Sequence, residues 1–198
     1  MRVLLHHFMS LVFPPRKSAV RVSAITSIHP ERKMCSLFDQ PVTYLLPYKD
    51  PNIQALITEV KFHAEPHAVE LLSVALKTTL SELESQYDYI IPIPLSAHRE
   101  RQRGYNQVAL VLKNAGFNFD ETVLKRSHKP PQTSLKRSER ITNVEGVFTV
   151  PQAVCEKIAK KRIVLIDDVV TTGATMVAAK AALLPHQPTC VDCMALAH

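Results

Sequence analysis

The apolar positions of the first half follow a helical period. Ile53, Leu56, Ile57 and Val60 recur at i, i+3, i+4 and i+7, which predicts a helix over Asn52–His63. Pro66, suited to a first helical turn, opens a second helix whose buried stripe is Val69, Leu72, Leu76, Leu80 and Leu83. The pattern then changes. Tyr87–Pro94 is a short apolar and β-branched run, as a buried strand requires. Tyr105–Ala115 returns to helical spacing, and Gly116 behind it suits a helix C-terminal cap. Thr122–Lys125 reads as a short strand. The Ile-Val-Leu-Ile run inside Arg162–Asp167 predicts a buried parallel strand. Thr175–Leu184 is alanine-rich and helical, Pro185 stops it, and Thr189–Leu196 is a last strand. Strands alternating with helices predict an α/β fold, a mostly parallel sheet flanked by helices. Ligands of such folds bind at the carboxyl ends of the strands.

Two stretches carry no period. Met1–Lys33 includes an apolar run, Leu4–Phe13, broken by two histidines and lacking a clear small-residue cleavage site. Residues 1–34 are read as an N-terminal tail or upstream extension of no catalytic role, ahead of one domain over 35–198. Ser127–Asn143 is polar and basic, contains Pro130-Pro131, and reads as a long loop. Loops of that length are usually functional or disordered.

Composition narrows the class. With 198 residues, 46% hydrophobic and 21% charged, the chain suits a globular domain and not a disordered one. No apolar run reaches the roughly 18 residues of a membrane span. Four scattered cysteines, Cys35, Cys155, Cys190 and Cys193, suit a reduced, cytoplasmic setting. Cys190 and Cys193 form a C-x-x-C without a second pair, and positions three apart on a strand face opposite ways, against zinc or redox chemistry. The net charge of +6 is uneven. Residues 97–140 hold ten basic and four acidic side chains, a surplus that suggests an anionic partner, a phosphate ligand or a nucleic acid.

The densest chemistry lies in Ile163-Val-Leu-Ile-Asp-Asp-Val-Val-Thr-Thr-Gly-Ala-Thr175. The apolar run places Asp167 and Asp168 at the carboxyl end of a buried strand. Adjacent carboxylates there need neutralising by a divalent cation or by ligand hydroxyls. Thr171, Thr172, Gly173, Ala174 and Thr175 then lead into a helix. Small residues let backbone N–H groups converge on an anion, the glycine permits a tight turn, and the helix N-terminus favours negative charge. The competing reading is a plain capping sequence with Thr171 or Thr172 as N-cap. Upstream, the strand ending at Pro94 empties into Ser96–Gly104. In an extended loop Arg99, Arg101 and Arg103 would point one way, with forks suited to phosphate. A solvated arginine turn anchored by Tyr105 is the alternative.

The thirteen-residue run closely resembles the 5-phosphoribosyl 1-pyrophosphate (PRPP) signature of type I phosphoribosyltransferases. That resemblance implies that Asp167 and Asp168 contact the ribose hydroxyls directly or through Mg²⁺, and that Thr171–Thr175 cradle the 5-phosphate. An acceptor nucleophile would attack C1 and pyrophosphate would leave. A narrower resemblance, to the ComF-like competence proteins, covers roughly Leu37–Ala197. It rests on Tyr48, Ile57, Lys61-Phe62, Pro92-Ile-Pro-Leu95, Arg103-Gly-Tyr-Asn-Gln107, Gln132, Leu135, Arg140, Asn143-Val144 and Gly146-Val-Phe148, in that order. It implies a pyrophosphate loop at Ser96–Gly104 and a mobile hood at Lys125–Asn143. Arg99, Arg103, Gly104, Gln132 and Arg140 would serve the ligand or hood. Lys61 would reach the pyrophosphate or simply face a helix C-terminus. The implied partners are PRPP, an acceptor that no residue marks, and single-stranded DNA or the DNA-uptake machinery. A non-catalytic PRPP-sensing or DNA-binding accessory is the second reading. Many such proteins begin with a four-cysteine zinc module; only Cys35 stands in that region, so no N-terminal zinc site is carried over.

Overall fold

A computed structural model describes residues 16–81, 84–126 and 146–198. Its main sheet has the order β1-β2-β7-β6-β3. These strands are β1 (Lys33–Leu37), β2 (Gln40–Leu46), β3 (Tyr89–Pro92), β6 (Arg162–Val169) and β7 (Cys190–Ala197). β1 runs antiparallel to β2, and all other pairings are parallel. A small antiparallel pair, β4 (Lys125–Arg126) and β5 (Phe148–Thr149), stands apart. The helices are α1 (Lys17–Ser23), α2 (Pro51–His63), α3 (Pro66–Leu80), α4 (Ala97–Arg103), α5 (Gln107–Ala115), α6 (Gln152–Ile158) and α7 (Ala174–Leu183).

Local chemistry sets the helix ends. Asp50 accepts from the Asn52 N–H at 2.8 Å, with Pro51 opening α2. Glu65 accepts from the Ala68 N–H at 2.7 Å, with Pro66 opening α3. Each start combines a capping carboxylate with a proline whose missing N–H costs nothing there. Between them Ala64 turns left-handed at φ 47° to end α2. Gly116 (φ 81°) ends α5 as its position predicts.

The sheet is covered on both faces, so its central strands are apolar on both. Val164 and Ile166 of β6 pack with α1, α2, α3 and α5. Ile163 and Leu165, alternating with them, pack with α7, Ile158 and Phe148 on the other face. The period of two continues to the strand end and decides where the two aspartates point.

Four expectations change. The N-terminal segment is no solvated tail from Arg16 onward: Val22 of α1 and Ile25 just beyond it are buried in the α2–α3 layer, so the boundary expected at residue 34 falls inside the folded unit. β1 and β2 went unread because β2 pairs with a strand far along the chain and their turn carries no glycine to mark it. They join through Phe38 and Asp39, both left-handed (φ 49° and 57°), a two-residue hairpin turn built without glycine. The strand expected at Thr122–Lys125 lies instead at Lys125–Arg126. Residues 97–103 form a helix and not an extended loop, because Ser96 caps it and Gly104 (φ 76°) ends it. Leu83 and the loop over 127–143 lie outside the described residues.

The docking of α1 hangs on one buried carboxylate. Glu59 of α2 is 0% exposed and receives Arg16 Nη2 at 2.7 Å, Arg16 Nε at 3.2 Å and Ser18 Oγ at 2.6 Å. Hydrogen bonding from Arg16 holds its carboxyl below the ordinary carboxylate value. A carboxyl so lowered stabilises the fold above its ordinary pKa, and that stability is lost as pH falls through the lowered value. Arg16→Met should therefore reduce the urea midpoint clearly at pH 7, and the deficit should shrink below about pH 4. An equal deficit at both pH values would assign Arg16 a packing role alone.

Candidate functional site

Asp167 and Asp168 end β6 beside β3 on one side and β7 on the other. Being adjacent on a strand, they face opposite layers. Asp168 follows Val164 and Ile166 toward α2 and α5. It is 6% exposed, and its Oδ2 receives Gln107 Nε2 at 2.7 Å and Lys61 Nζ at 2.9 Å. Its Oδ1 accepts the Val169 N–H at 2.6 Å. Asp167 Oδ1 accepts the Asp168 N–H at 2.8 Å. Burial, then the charge of Asp168, pushes the Asp167 carboxyl up, while Lys61 and Arg126 pull it back. The neutralisation that paired carboxylates demand is thus supplied in part by a lysine of this chain.

Gln107 links that carboxylate to the arginine segment. Its Oε1 accepts from Arg103 Nη1 at 2.9 Å while its Nε2 donates to Asp168, so the two bonds fix which way the amide lies. Arg103 also lies over the Phe62 ring at 5.0 Å. Its Nε is buried without a hydrogen-bond partner. Burial, then the charge of Arg99, presses the Arg103 guanidinium below its ordinary value. The turn that delivers Arg103 is built by its neighbours. Tyr105 Oη donates to the Val60 carbonyl at 2.7 Å and accepts the Ala64 N–H at 2.9 Å. Asn106 caps α5 through the Val108 N–H at 3.0 Å and donates to the Ile93 carbonyl at 3.0 Å. Those bonds tie the end of α2, the end of β3 and the start of α5 into one corner.

The helix form of 97–103 divides the arginines. Residues two apart on a helix lie about 200° apart and residues four apart share a face. Arg99 and Arg103 therefore fall together and Arg101 falls away from them, a correction to the alternating reading. Ser96 acts as the cap, its Oγ accepting the Arg99 N–H at 3.4 Å. Arg126 of β4 lies over Phe148 at 5.4 Å and feels both Arg99 and Asp167. Because β4 pairs with β5, the two ends of the expected hood are joined at their base. Gln132 and Arg140 lie outside the described residues.

Beyond Asp168 the chain leaves the sheet through Val170, whose N–H bonds the Ala197 carbonyl at 3.0 Å. Thr171 and Thr172 are exposed, and Ala174 and Thr175 half-buried. Gly173, not a threonine, is the N-cap of α7. It sits at φ 83°, and a Cβ there would meet Leu37 Cβ at 2.7 Å. Both its backbone angle and its neighbour exclude a side chain. The structure thus brings Lys61, Arg99, Arg103 and Asp168 to one corner and sets the Thr171–Thr175 turn beside it. Sequence reasoning missed Gln107 and Phe62 as site residues; the Arg-Gly-Tyr-Asn-Gln and Lys-Phe pairings were their only signal.

Among the described residues no group of three or more His, Cys, Asp or Glu side chains could hold a metal. All four cysteines are free thiols, with Cys190 half-buried and Cys193 buried on the strand. No helix among the described residues is long and apolar enough to cross a membrane.

Residues 103–198 match the phosphoribosyl transferase domain family. The fold, a mostly parallel sheet flanked by helices, is type I phosphoribosyltransferase-like. The chain is 38% identical over 91 residues to competence protein ComFC of Streptococcus pneumoniae, covering 46% of this chain and 39% of that protein. It is 29% identical over 121 residues to ComFC of Bacillus subtilis (61% and 48% covered). It is 33% identical over 92 residues to competence protein F of Haemophilus influenzae (44% and 40% covered). The matched stretches cover 44–61% of this chain, which spans less than half the length of these curated competence proteins. The solved structure of the allosteric regulatory enzyme of purine biosynthesis is 15% identical, with a TM-score of 0.44 over 70% of this chain and 30% of that one.

Gly173→Ala should lower stability by about 1–3 kcal/mol, through a left-handed alanine and the collision with Leu37. In a double-mutant cycle, Leu37→Gly, which removes the Cβ that the new methyl meets, should return only the collision part. Full recovery in thermal melts would show that the backbone angle contributes nothing.

Proposed function

We propose that this chain binds PRPP with Mg²⁺ and transfers its phosphoribosyl group to an acceptor, releasing pyrophosphate, in a setting tied to DNA uptake. The observation that carries the reading is the order of charges along one sheet edge. An acidic pair ends β6, a glycine-capped helix start follows it, and Arg103 and Lys61 stand on the β3 side. PRPP has the complementary order, with a diol between a phosphate and a pyrophosphate. The printed names of the relatives support the DNA-uptake setting.

The residues divide the work as follows. Asp168, partnered by Lys61 and Gln107, accepts hydrogen bonds from the ribose diol, with Asp167 beside it. The turn Thr171–Thr175 offers hydroxyls and first-turn N–H groups to the 5-phosphate. Arg103, with Arg99 on the same helix face, meets the charge that grows on the departing pyrophosphate, where fixed cations lower the barrier most. Lys61 lies close enough to Asp168 to share that load. Magnesium, when bound, supplies further charge neutralisation and orients phosphate oxygens, with Asp167 and Asp168 as its protein ligands. The single-stranded-DNA reading has no comparable observation, since the helix splits the arginines and Arg103 turns toward Asp168.

Isothermal titration with PRPP and MgCl₂ tests this. Wild type should bind. Asp168→Asn should weaken binding about tenfold or more, the loss expected when a charge-assisted hydrogen bond goes. Absence of heat with wild type, or undiminished binding in Asp168→Asn, would sink the reading. Filter binding of single-stranded DNA over a salt series should give no steep salt dependence; a steep one would favour the accessory role.

Gln107→Leu is a separate check on positioning. It breaks the link between Arg103 and Asp168 and leaves Lys61 as the side-chain partner of Asp168. Pyrophosphate release should fall in kcat, with PRPP affinity changed less. Gln107→Glu, which keeps the acceptor toward Arg103 but loses the donor toward Asp168, should not restore the rate.

A further inference from the structure

The four cysteines stand in unlike surroundings. Cys193 is buried between the sheet and α7, and burial pushes its thiol up to about 11. Cys35 on β1 donates to the Val42 carbonyl at 3.7 Å, and burial raises its thiol as well. Cys190 shares its strand face with Asp192, two residues on, so the charge beside it on that face is negative. Among the described residues none of these three has a histidine within bonding reach.

Cys155 does. It stands half-buried on α6, and its Sγ lies 4.0 Å from His186 Nε2 while donating to the Pro151 carbonyl at 3.4 Å. A thiol has one proton, and a carbonyl only accepts. When the S–H turns from Pro151 to the ring, Nε2 accepts it, and transfer of that proton leaves a thiolate beside an imidazolium. The gap between them is set by backbone bonds. His186 closes a short 3-10 turn, Leu184–His186, that follows α7. Gln187, left-handed at φ 55°, sends its N–H to the Leu184 carbonyl at 3.1 Å and takes the Lys160 N–H on its own carbonyl at 2.8 Å. The Thr189 N–H bonds the Lys161 carbonyl at 2.8 Å. These bonds lace the turn that holds His186 to the chain just past α6.

The pair stands apart from the aspartate corner. α6 leads into the amino end of β6 and the turn into the amino end of β7, whereas Asp167 and Asp168 lie at the carboxyl end of β6. A half-buried sulfur admits a small reagent, and thiol–disulfide exchange needs only access and a place for the proton.

We infer that Cys155 is a modification site, a nucleophilic thiol that forms mixed disulfides with low-molecular-weight disulfides, with His186 as the base that takes its proton. In the step, a sulfur lone pair of Cys155 forms the new S–S bond. The S–S bond of the small disulfide breaks, and its electron pair leaves with the departing thiolate. The Cys155 proton passes to His186 Nε2 and from there to that thiolate. A second thiol reverses the exchange.

Glutathione disulfide at pH 7, with samples quenched at intervals and mapped by peptide mass spectrometry, tests the site. In wild type Cys155 should carry the adduct first, about tenfold or more faster than Cys35, Cys190 or Cys193, and dithiothreitol should remove it. His186→Ala should abolish that lead, and imidazole in the buffer should restore part of it without speeding the other cysteines. His186→Gln, which offers the sulfur a donor but no base, should stay slow. First modification at any other cysteine of wild type would overturn the proposal, however the variants fold. So would a His186→Ala rate equal to that of wild type. A slow His186→Ala that imidazole leaves slow would overturn the role of His186 as base.

Discussion

Asp168 is the point on which the site turns. A carboxylate 6% exposed at a strand end has lost most of its water, and an unpaired charge there is strongly unfavourable. Lys61 and Gln107 replace that water. To do so, α2 must end near β6 and α5 must begin beside it. The Tyr105 hydroxyl bonding two α2 backbone groups, and Asn106 bonding the end of β3, hold those helices at that distance. The fold around the site can therefore be read as the set of contacts that keeps one buried carboxylate partnered.

The same arrangement explains why the positive surplus is not spread evenly. Lys61 lies in residues 35–96, which hold three basic and eight acidic side chains, yet its charge is delivered to the central site. Arg103 is drawn inward through Gln107 and flattened on Phe62, a ring that remains 53% exposed. Arg101, on another face of the same short helix, has no part in that corner. Charge counted along a sequence measures supply; the helix period decides delivery.

Legibility followed the strength of the local signal. The helices over residues 51–63 and 66–80 and the strand before Asp167 were readable because apolar spacing and proline starts agree with the final packing. The alternation along β6 even fixes which layer each aspartate faces. β1 and β2 were not readable, since their pairing depends on strands far along the chain and their turn uses Phe38 and Asp39 where a glycine would have signalled it. The α4 helix was misread because a run of alternating arginines carries no apolar period, and only the Ser96 cap and Gly104 marked its limits. α1 was missed for a similar reason: its anchor is an ion pair to a residue 43 positions away, not a stripe.

The sheet order carries a cost in time. Val42 of β2 pairs with Cys193 of β7, so the parallel core closes across nearly the whole described chain. Closing so large a loop is entropically costly, and no local contact compensates early. During synthesis β1 and β2 emerge long before β7 exists. Until then the hairpin has an unpaired edge, with Met34 and Phe38 among its exposed apolar side chains even in the finished fold. In a nascent chain of this topology that edge stays open until the last strand arrives.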